Sequence, residues 1–144
     1  MKNVFFFLGS ILVLMGCNPN STNIAEKQIG DESKAFIKNI DSPTFKKFME
    51  SGQGLVLDVR TSQEVTQGYI PEASVIDIYD RNFEDKIKVL PKDKEIYVYC
   101  TSGVRSMQAA KILQKNGFDK VYNLGGGIVD WQRKGFTIVR PNIK

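Results

Sequence analysis

Three short runs constrain this chain more than anything else in it: Gly54–Val59 (GLVLDV), Ile96–Cys100 (IYVYC) and Val121–Leu124 (VYNL). Each is apolar, or nearly so, at alternating positions on both sides, and each is too short for a helix. A strand that is apolar on both faces must be covered on both faces, which is the habit of interior strands in a parallel sheet. The intervening segments read as helices. Ser42 is a candidate N-cap with Pro43 at the first helical position, and Phe45, Phe48 and Met49 follow at helical spacing up to Gly52. Thr61 to Gln67 reads as a short helix and Gly68–Pro71 as a turn. Phe83 to Leu90 is helical and stops at Pro91. Val104 to Asn116 carries Met107, Ala110 and Leu113 on one face and ends at Gly117. Gly125–Gly127 turns into a last short helix bearing Trp131, closed by Gly135. Ala35 to Ile40 adds an edge strand, and Ser74 to Ile78 another strand. Strands alternating with helices predict an α/β fold with helices on both faces of a parallel sheet.

The second of these runs ends in a thiol. Cys100 is followed by Thr101, Ser102, Gly103, Val104, Arg105 and Ser106, where the next helix begins. In open α/β sheets ligands bind beyond the carboxyl ends of the strands. Successive backbone N–H groups in a loop that opens a helix form a cradle for an anion. Gly103 allows the loop to curl, and Arg105 adds a positive charge expected to face a bound anion. A thiol in this setting should ionise more readily than free cysteine and be a good nucleophile. An inert buried thiol is the bland alternative.

The rest of the composition narrows the chemistry. The chain has 144 residues, room for one domain with a proper core, and a net charge of +4. Its lysines are scattered and do not form the basic patch of a nucleic-acid binder. It has no histidine, which excludes Ser-His-Asp triads, Cys-His pairs and His-ligated metals.

The first residues read as an address. Lys2 precedes an apolar run from Val4 to Met15, too short to span a bilayer as a helix and suited to the core of a signal peptide. The run ends Leu14-Met15-Gly16-Cys17, which resembles a bacterial lipobox. That resemblance implies cleavage before Cys17 and attachment of diacylglycerol to it. Asn18 to Glu32 is polar and rich in turn-forming residues, as in a tether. The organisation expected is therefore a lipoprotein signal at 1–16, a lipidated N-terminus and tether at 17–32, and one domain at 33–144. The domain would sit on the exported side of a bacterial cell envelope, held to the membrane through Cys17. A lipidated Cys17 cannot pair with Cys100, which leaves a lone thiol in a compartment where thiols usually pair.

Four segments in order carry a family resemblance: LVLDVRTSQEV (55–65), GYIPEASVIDI (68–78), YVYCTSGVRS (from Tyr97 through Ser106) and NLGGGIVDWQRKG (123–135). They resemble the successive signatures of rhodanese-like domains over about Ser33 to Arg140. The resemblance implies a central five-stranded parallel sheet with flanking helices. It also implies sulfurtransferase activity through a persulfide on Cys100, with Thr101 to Arg105 as the anion-binding loop and Ser106 just beyond it. Sulfane sulfur would move from thiosulfate or a persulfide donor to a thiol or cyanide, with no cofactor other than the covalent persulfide, no metal and no nucleic acid. Asp58 and Arg60, at the end of the LVLDVR segment, are read first as structural partners and second as supporting residues of the site. The chain departs from the family pattern at Tyr69 and Glu72, where His and Gly are usual in the turn. It departs also at Thr101, often Arg in thiosulfate-specialised members.

Two other readings compete. A tethered sulfur carrier or redox-sensing module would use the same thiol without turnover. Cysteine-dependent phosphatases wrap an oxyanion with a loop one residue longer between cysteine and arginine, so the shorter loop here makes a narrower cradle.

Overall fold

The computed structural model describes residues 34–141. The expected signal segment, Cys17 and the tether lie outside the described residues. Within them the elements run β1 (Phe36–Ile40), α1 (Ser42–Glu50), β2 (Gly54–Asp58), α2 (Ser62–Val65), β3 (Ser74–Val75), α3 (Phe83–Lys88), β4 (Glu95–Tyr99), α4 (Val104–Lys115), β5 (Lys120–Leu124) and α5 (Gly127–Arg133). The strands form one sheet in the order β1-β5-β4-β2-β3, every neighbour pair parallel. The α/β, five-stranded fold expected from the sequence is the fold observed.

β4 lies at the centre because it is apolar on both sides. Ile96 and Val98 pack with Leu57, Val121, Ala110 and Leu113 on the α3/α4 face. Tyr97 and Tyr99 pack with Phe45, Leu124, Ile128 and Trp131 on the α1/α5 face. Phe45 anchors the second layer through edge-to-face contacts with Tyr97, Tyr99 and Trp131, at centroid distances of 6.1, 6.3 and 6.1 Å. Truncating such a residue to alanine costs about 3–5 kcal/mol. Trp131 is core: it is 2% exposed, and its Nε1 donates to the Thr137 carbonyl at 2.9 Å.

The connections leave β2 toward β3 and β4 toward β5, in opposite directions across the sheet. A crevice opens at the carboxyl ends where such connections diverge. The segments that follow β4 and β2 there are Cys100–Ser106 and the α2 turn.

Three local expectations are corrected. The cap of α1 is Asp41, whose Oδ1 accepts the Thr44 N–H at 3.0 Å. Ser42 is instead fully buried, and its hydroxyl donates to Asp130 Oδ2 at 2.6 Å, tying α1 to α5. The strand expected over 74–78 is paired as strand only at Ser74–Val75. The Ile76 and Ile78 N–H groups still donate to the Asp58 and Val59 carbonyls at 2.9 and 3.2 Å, and the chain then turns away, where the Asp77 carboxylate accepts the Tyr79 N–H at 2.9 Å and the Asp77 carbonyl accepts that of Asp80. α2 is likewise a single turn, 62–65, held by a capping box between Thr61 and Glu64.

Candidate active site

Cys100 follows β4 on the α4 side of the sheet and is 1% exposed. It is the free cysteine of the described residues. The loop curls back so that the Gly103 N–H donates to Sγ at 3.2 Å, and the Ser106 hydroxyl donates to the same sulfur at 3.4 Å. Burial pushes the thiol pKa up. The Ser106 hydroxyl and the backbone N–H groups of Ser106, Ser102 and Gly103 outweigh it, so the net shift is downward. The sulfur is thus held as an incipient anion without any histidine. Its donors are backbone N–H groups at the start of α4 and one buried hydroxyl.

The curl is enforced from behind. The carbonyls of Cys100 and Thr101 accept the N–H groups of Ile128 and Val129 at 2.9 and 3.2 Å, so the first turn of α5 draws these carbonyls away from the sulfur. This requires very close backbone approach. A Cβ on Gly127 (φ +59°) would stand 2.3 Å from the Thr101 carbonyl oxygen, and one on Gly103 (φ +94°) would stand 2.2 Å from that of Gly125. Only glycine fits either position. Asn123, at 1% exposure, adds a third clamp: its Nδ2 donates to the Gly103 carbonyl at 3.1 Å and to Asn39 Oδ1 at 2.7 Å. By residue type and spacing alone Gly125–Gly127 is a plain turn, and nothing local marks Asn123. The run of glycines directly before a helix was the available signal.

Arg105 does not stand free above the loop. Its guanidinium is paired with Glu64 in α2, Nη1 to Oε2 at 2.8 Å and Nη2 to Oε1 at 2.5 Å. Thr101 Oγ accepts from Arg105 Nη2 at 2.7 Å and donates to Glu64 Oε1 at 2.7 Å, closing a triangle. Glu64 also accepts the Thr61 N–H at 3.0 Å through its capping box. The Arg105 hydrogen bonds, aided by Thr101 and Thr61 against the opposing effect of burial, hold the Glu64 carboxyl far below the usual carboxylate range, so it is ionised. Tyr79, 67% exposed, places its ring 5.8 Å from the Arg105 guanidinium. Glu64 was not among the sequence-predicted site residues, and Thr101 acts through its hydroxyl within this triangle.

Asp58 and Arg60 form a buried pair elsewhere. Arg60 Nε donates to Asp58 Oδ1 at 2.9 Å and Nη2 to Oδ2 at 2.6 Å, while Nη2 also donates to the Gly68 carbonyl at 2.9 Å. Its guanidinium lies 5.6 Å from the Tyr99 ring, whose hydroxyl accepts the Ile70 N–H at 3.0 Å. These contacts pin the 68–70 turn to β4. None of them reaches the Cys100 loop. In the same turn Glu72, at the position usually Gly, carries φ +65°, the left-handed conformation that favours glycine.

Ser102 and Val104 complete the loop. Both border a cavity of about 410 Å³, together with Gly103, Lys111 and Asn123, between α4 and the ends of β1 and β5. Cys100 itself is not part of that lining.

Residues 41–134 match the Rhodanese-like domain family. The chain belongs to the rhodanese-like domain family. A sulfurtransferase of Allochromatium vinosum is 36% identical over 106 residues, covering 73% of this chain and 97% of its own. YtwF of Bacillus subtilis, named as a candidate sulfurtransferase, is 40% identical over 97 residues, 67% of this chain and 91% of its own. The crystal structure of a rhodanese-related protein from Thermoplasma volcanium superimposes with a TM-score of 0.64 at 30% identity, covering 72% of this chain and 99% of that one. In this rhodanese-like domain the matched region contains the whole site: Glu64, the Cys100–Ser106 loop and the Gly125–Gly127 turn.

Proposed function

We propose that this rhodanese-like protein is a sulfurtransferase that carries sulfane sulfur on Cys100 and passes it to a thiol or to cyanide. The observation that carries this reading is the sulfur's own environment: Sγ receives the Gly103 N–H at 3.2 Å and the Ser106 hydroxyl at 3.4 Å, and its ionisation is eased. In the first half-reaction the Cys100 thiolate attacks the outer sulfur of the donor. A Cys100 S–S bond forms, the donor's S–S bond breaks, and the electron pair leaves with sulfite or a thiolate. The terminal persulfide sulfur then carries the negative charge, and the loop N–H groups stabilise it as they stabilised the thiolate. In the second half-reaction the acceptor attacks that outer sulfur, and Cys100 departs as the thiolate it was. No cofactor is needed, since the sulfur is held covalently and no net oxidation occurs.

A phosphatase reading is disfavoured by the same geometry. An oxyanion clamp needs its arginine free to meet the substrate, and Arg105 is engaged by Glu64 and Thr101. On the sequence of the first 17 residues we also propose that the protein is a lipoprotein, anchored to a bacterial envelope membrane through Cys17 with its domain on the exported side.

The test is intact-mass analysis of the protein after exposure to sulfur donors, before and after cyanide, with thiocyanate measured in parallel. A mass gain of one sulfur that cyanide removes, absent in Cys100→Ser and accompanied by catalytic thiocyanate release, supports the enzyme. Single loading without turnover in the presence of acceptor supports a sulfur carrier. No uptake from any donor overturns both.

A further inference from the structure

We infer that Glu64 determines donor specificity, disfavouring the dianion thiosulfate and leaving the site suited to organic persulfides of low charge. This rests on the sulfurtransferase reading and names its substrate class. The argument is charge arithmetic on a fixed geometry. At the moment of attack the site holds a Cys100 thiolate, and a dianionic donor brings two further negative charges to it. Arg105 is the loop's one cation, yet both terminal nitrogens of its guanidinium are engaged, Nη1 by Glu64 and Nη2 by Glu64 and Thr101. The pair is partly shielded, with Arg105 and Glu64 side chains 20% and 32% exposed, so solvent does not readily pull it apart. Glu64 is held there independently by the Thr61 capping box, and so is preorganised against Arg105 before any donor arrives. The other basic side chain on the nearby turns of α4, Lys111, borders the cavity behind Gly103, whereas Arg105 turns toward Glu64. The cations and anions around the sulfur therefore cancel, leaving the thiolate's charge uncompensated except by the loop's N–H and O–H dipoles.

The two donors make different demands on such a site. With thiosulfate, the Cys100 thiolate takes the outer sulfur and sulfite leaves with the electron pair. Three negative charges are gathered before the reaction and three remain after it. With a protonated persulfide, the thiolate takes the outer sulfur, the organic thiolate leaves with the electron pair, and the proton of the transferred sulfur passes to it. One negative charge is gathered and one remains. A site without a free cation supports the second reaction and opposes the first by like-charge repulsion. The exposed Tyr79 ring beside Arg105 offers contact area to an organic donor without adding charge.

The experiment compares single-turnover loading of Cys100 from thiosulfate and from 2-hydroxyethyl persulfide, in wild type, Glu64→Gln, Arg105→Gln and the double variant. Glutamine retains the capping box with Thr61, so Glu64→Gln removes charge with little change of shape. The expected result is a gain in thiosulfate loading on the order of tenfold, the scale of removing one unit charge beside a dianion in a partly dry site. Persulfide loading should stay nearly unchanged. In the double variant the thiosulfate gain should vanish, because no freed arginine remains to produce it; a purely structural role for Glu64 would not give that pattern. A second measurement needs no variant. In the wild type, thiosulfate loading should accelerate as salt is added, since screening relieves repulsion between like charges. A wild type whose thiosulfate loading slows with salt, or a Glu64→Gln protein with an unchanged donor ratio, overturns this inference while leaving the sulfurtransferase reading intact. A wild type that loads from neither donor overturns both.

Discussion

The Ser106 hydroxyl, fully buried in the first turn of α4, donates to the sulfur of Cys100 six residues earlier at 3.4 Å. Together with the Gly103 N–H it is what holds charge on the thiol in a chain without histidine. Ser106→Ala removes the side-chain donor and leaves the backbone donors in place. A hydrogen bond to a charged acceptor is worth about 1.5–3 kcal/mol, so persulfide formation at neutral pH should slow by about tenfold or more. The sign of the pH dependence follows. The thiolate is the reactive form, so the wild type keeps its rate to lower pH than the variant does. The two should converge above the free-thiol range of about 8.5, where both are ionised. Loading rates across that pH range, with thermal unfolding as a control, decide it. Coincident pH profiles would remove Ser106 from the site.

Gly127 and the Thr101 carbonyl oxygen are the second tight contact of the site. Gly127→Ala places a methyl group 2.3 Å from that oxygen and forces a side chain onto a residue at φ +59°. The left-handed conformation alone costs about 1–2 kcal/mol, and the clash must displace the loop in addition. The expected variant is less stable by more than about 2 kcal/mol, and in its folded fraction Cys100 should react more slowly, because the carbonyls of Cys100 and Thr101 can no longer both meet the first turn of α5. Denaturant unfolding and sulfur loading measured on the same sample check both parts. Full activity with full stability would show that the contact relaxes without consequence.

These two residues mark how far the sequence could be read. β2, β4 and β5 were legible because continuous apolar runs leave a buried parallel sheet as the simplest home. The thiol's place at a strand end was legible because Cys100 closes one of those runs. Contacts that depend on distant partners were not. Ser42 and Asp41 are equally good caps by residue type, and the choice between them is made by Asp130, 88 positions away. Thr61 and Glu64 are spaced for a capping box, but nothing local says that the same carboxylate meets Arg105, 41 positions on. β3 is regular only over Ser74–Val75, and the chain turns at Asp77, whose carboxylate accepts the Tyr79 N–H, a side-chain contact that strand propensity does not register.

Cys17 lies outside the described residues, and its role rests on Leu14-Met15-Gly16-Cys17. The full-length wild type, expressed in a bacterial host, should carry a lipid mass on an N-terminal Cys17 and partition with detergent. Cys17→Ser should lose both the lipid and the lipid-dependent cleavage. A wild type without lipid that fractionates like the variant would refute the anchor while leaving the domain's chemistry unaffected.

Asp58 and Arg60 allow a structural role to be told from a catalytic one. The pair is buried, with side chains 0% and 5% exposed, and its hydrogen bonds hold the Gly68 carbonyl and lie against Tyr99. Arg60→Met leaves the Asp58 carboxylate in the interior without its partner, and breaking a buried pair in this way costs about 3–5 kcal/mol. For a domain of this size that lowers the melting temperature by more than about 10 °C. Replacing both charges, Asp58→Leu with Arg60→Met, should recover much of the loss, because no charge is then left without a partner. Neither residue hydrogen-bonds the Cys100 loop, so loading per folded molecule should match the wild type in the double variant. Melting curves and single-turnover loading on the two variants separate the alternatives. A double variant that is stable but cannot load Cys100 would place Asp58 and Arg60 among the residues that support the sulfur site.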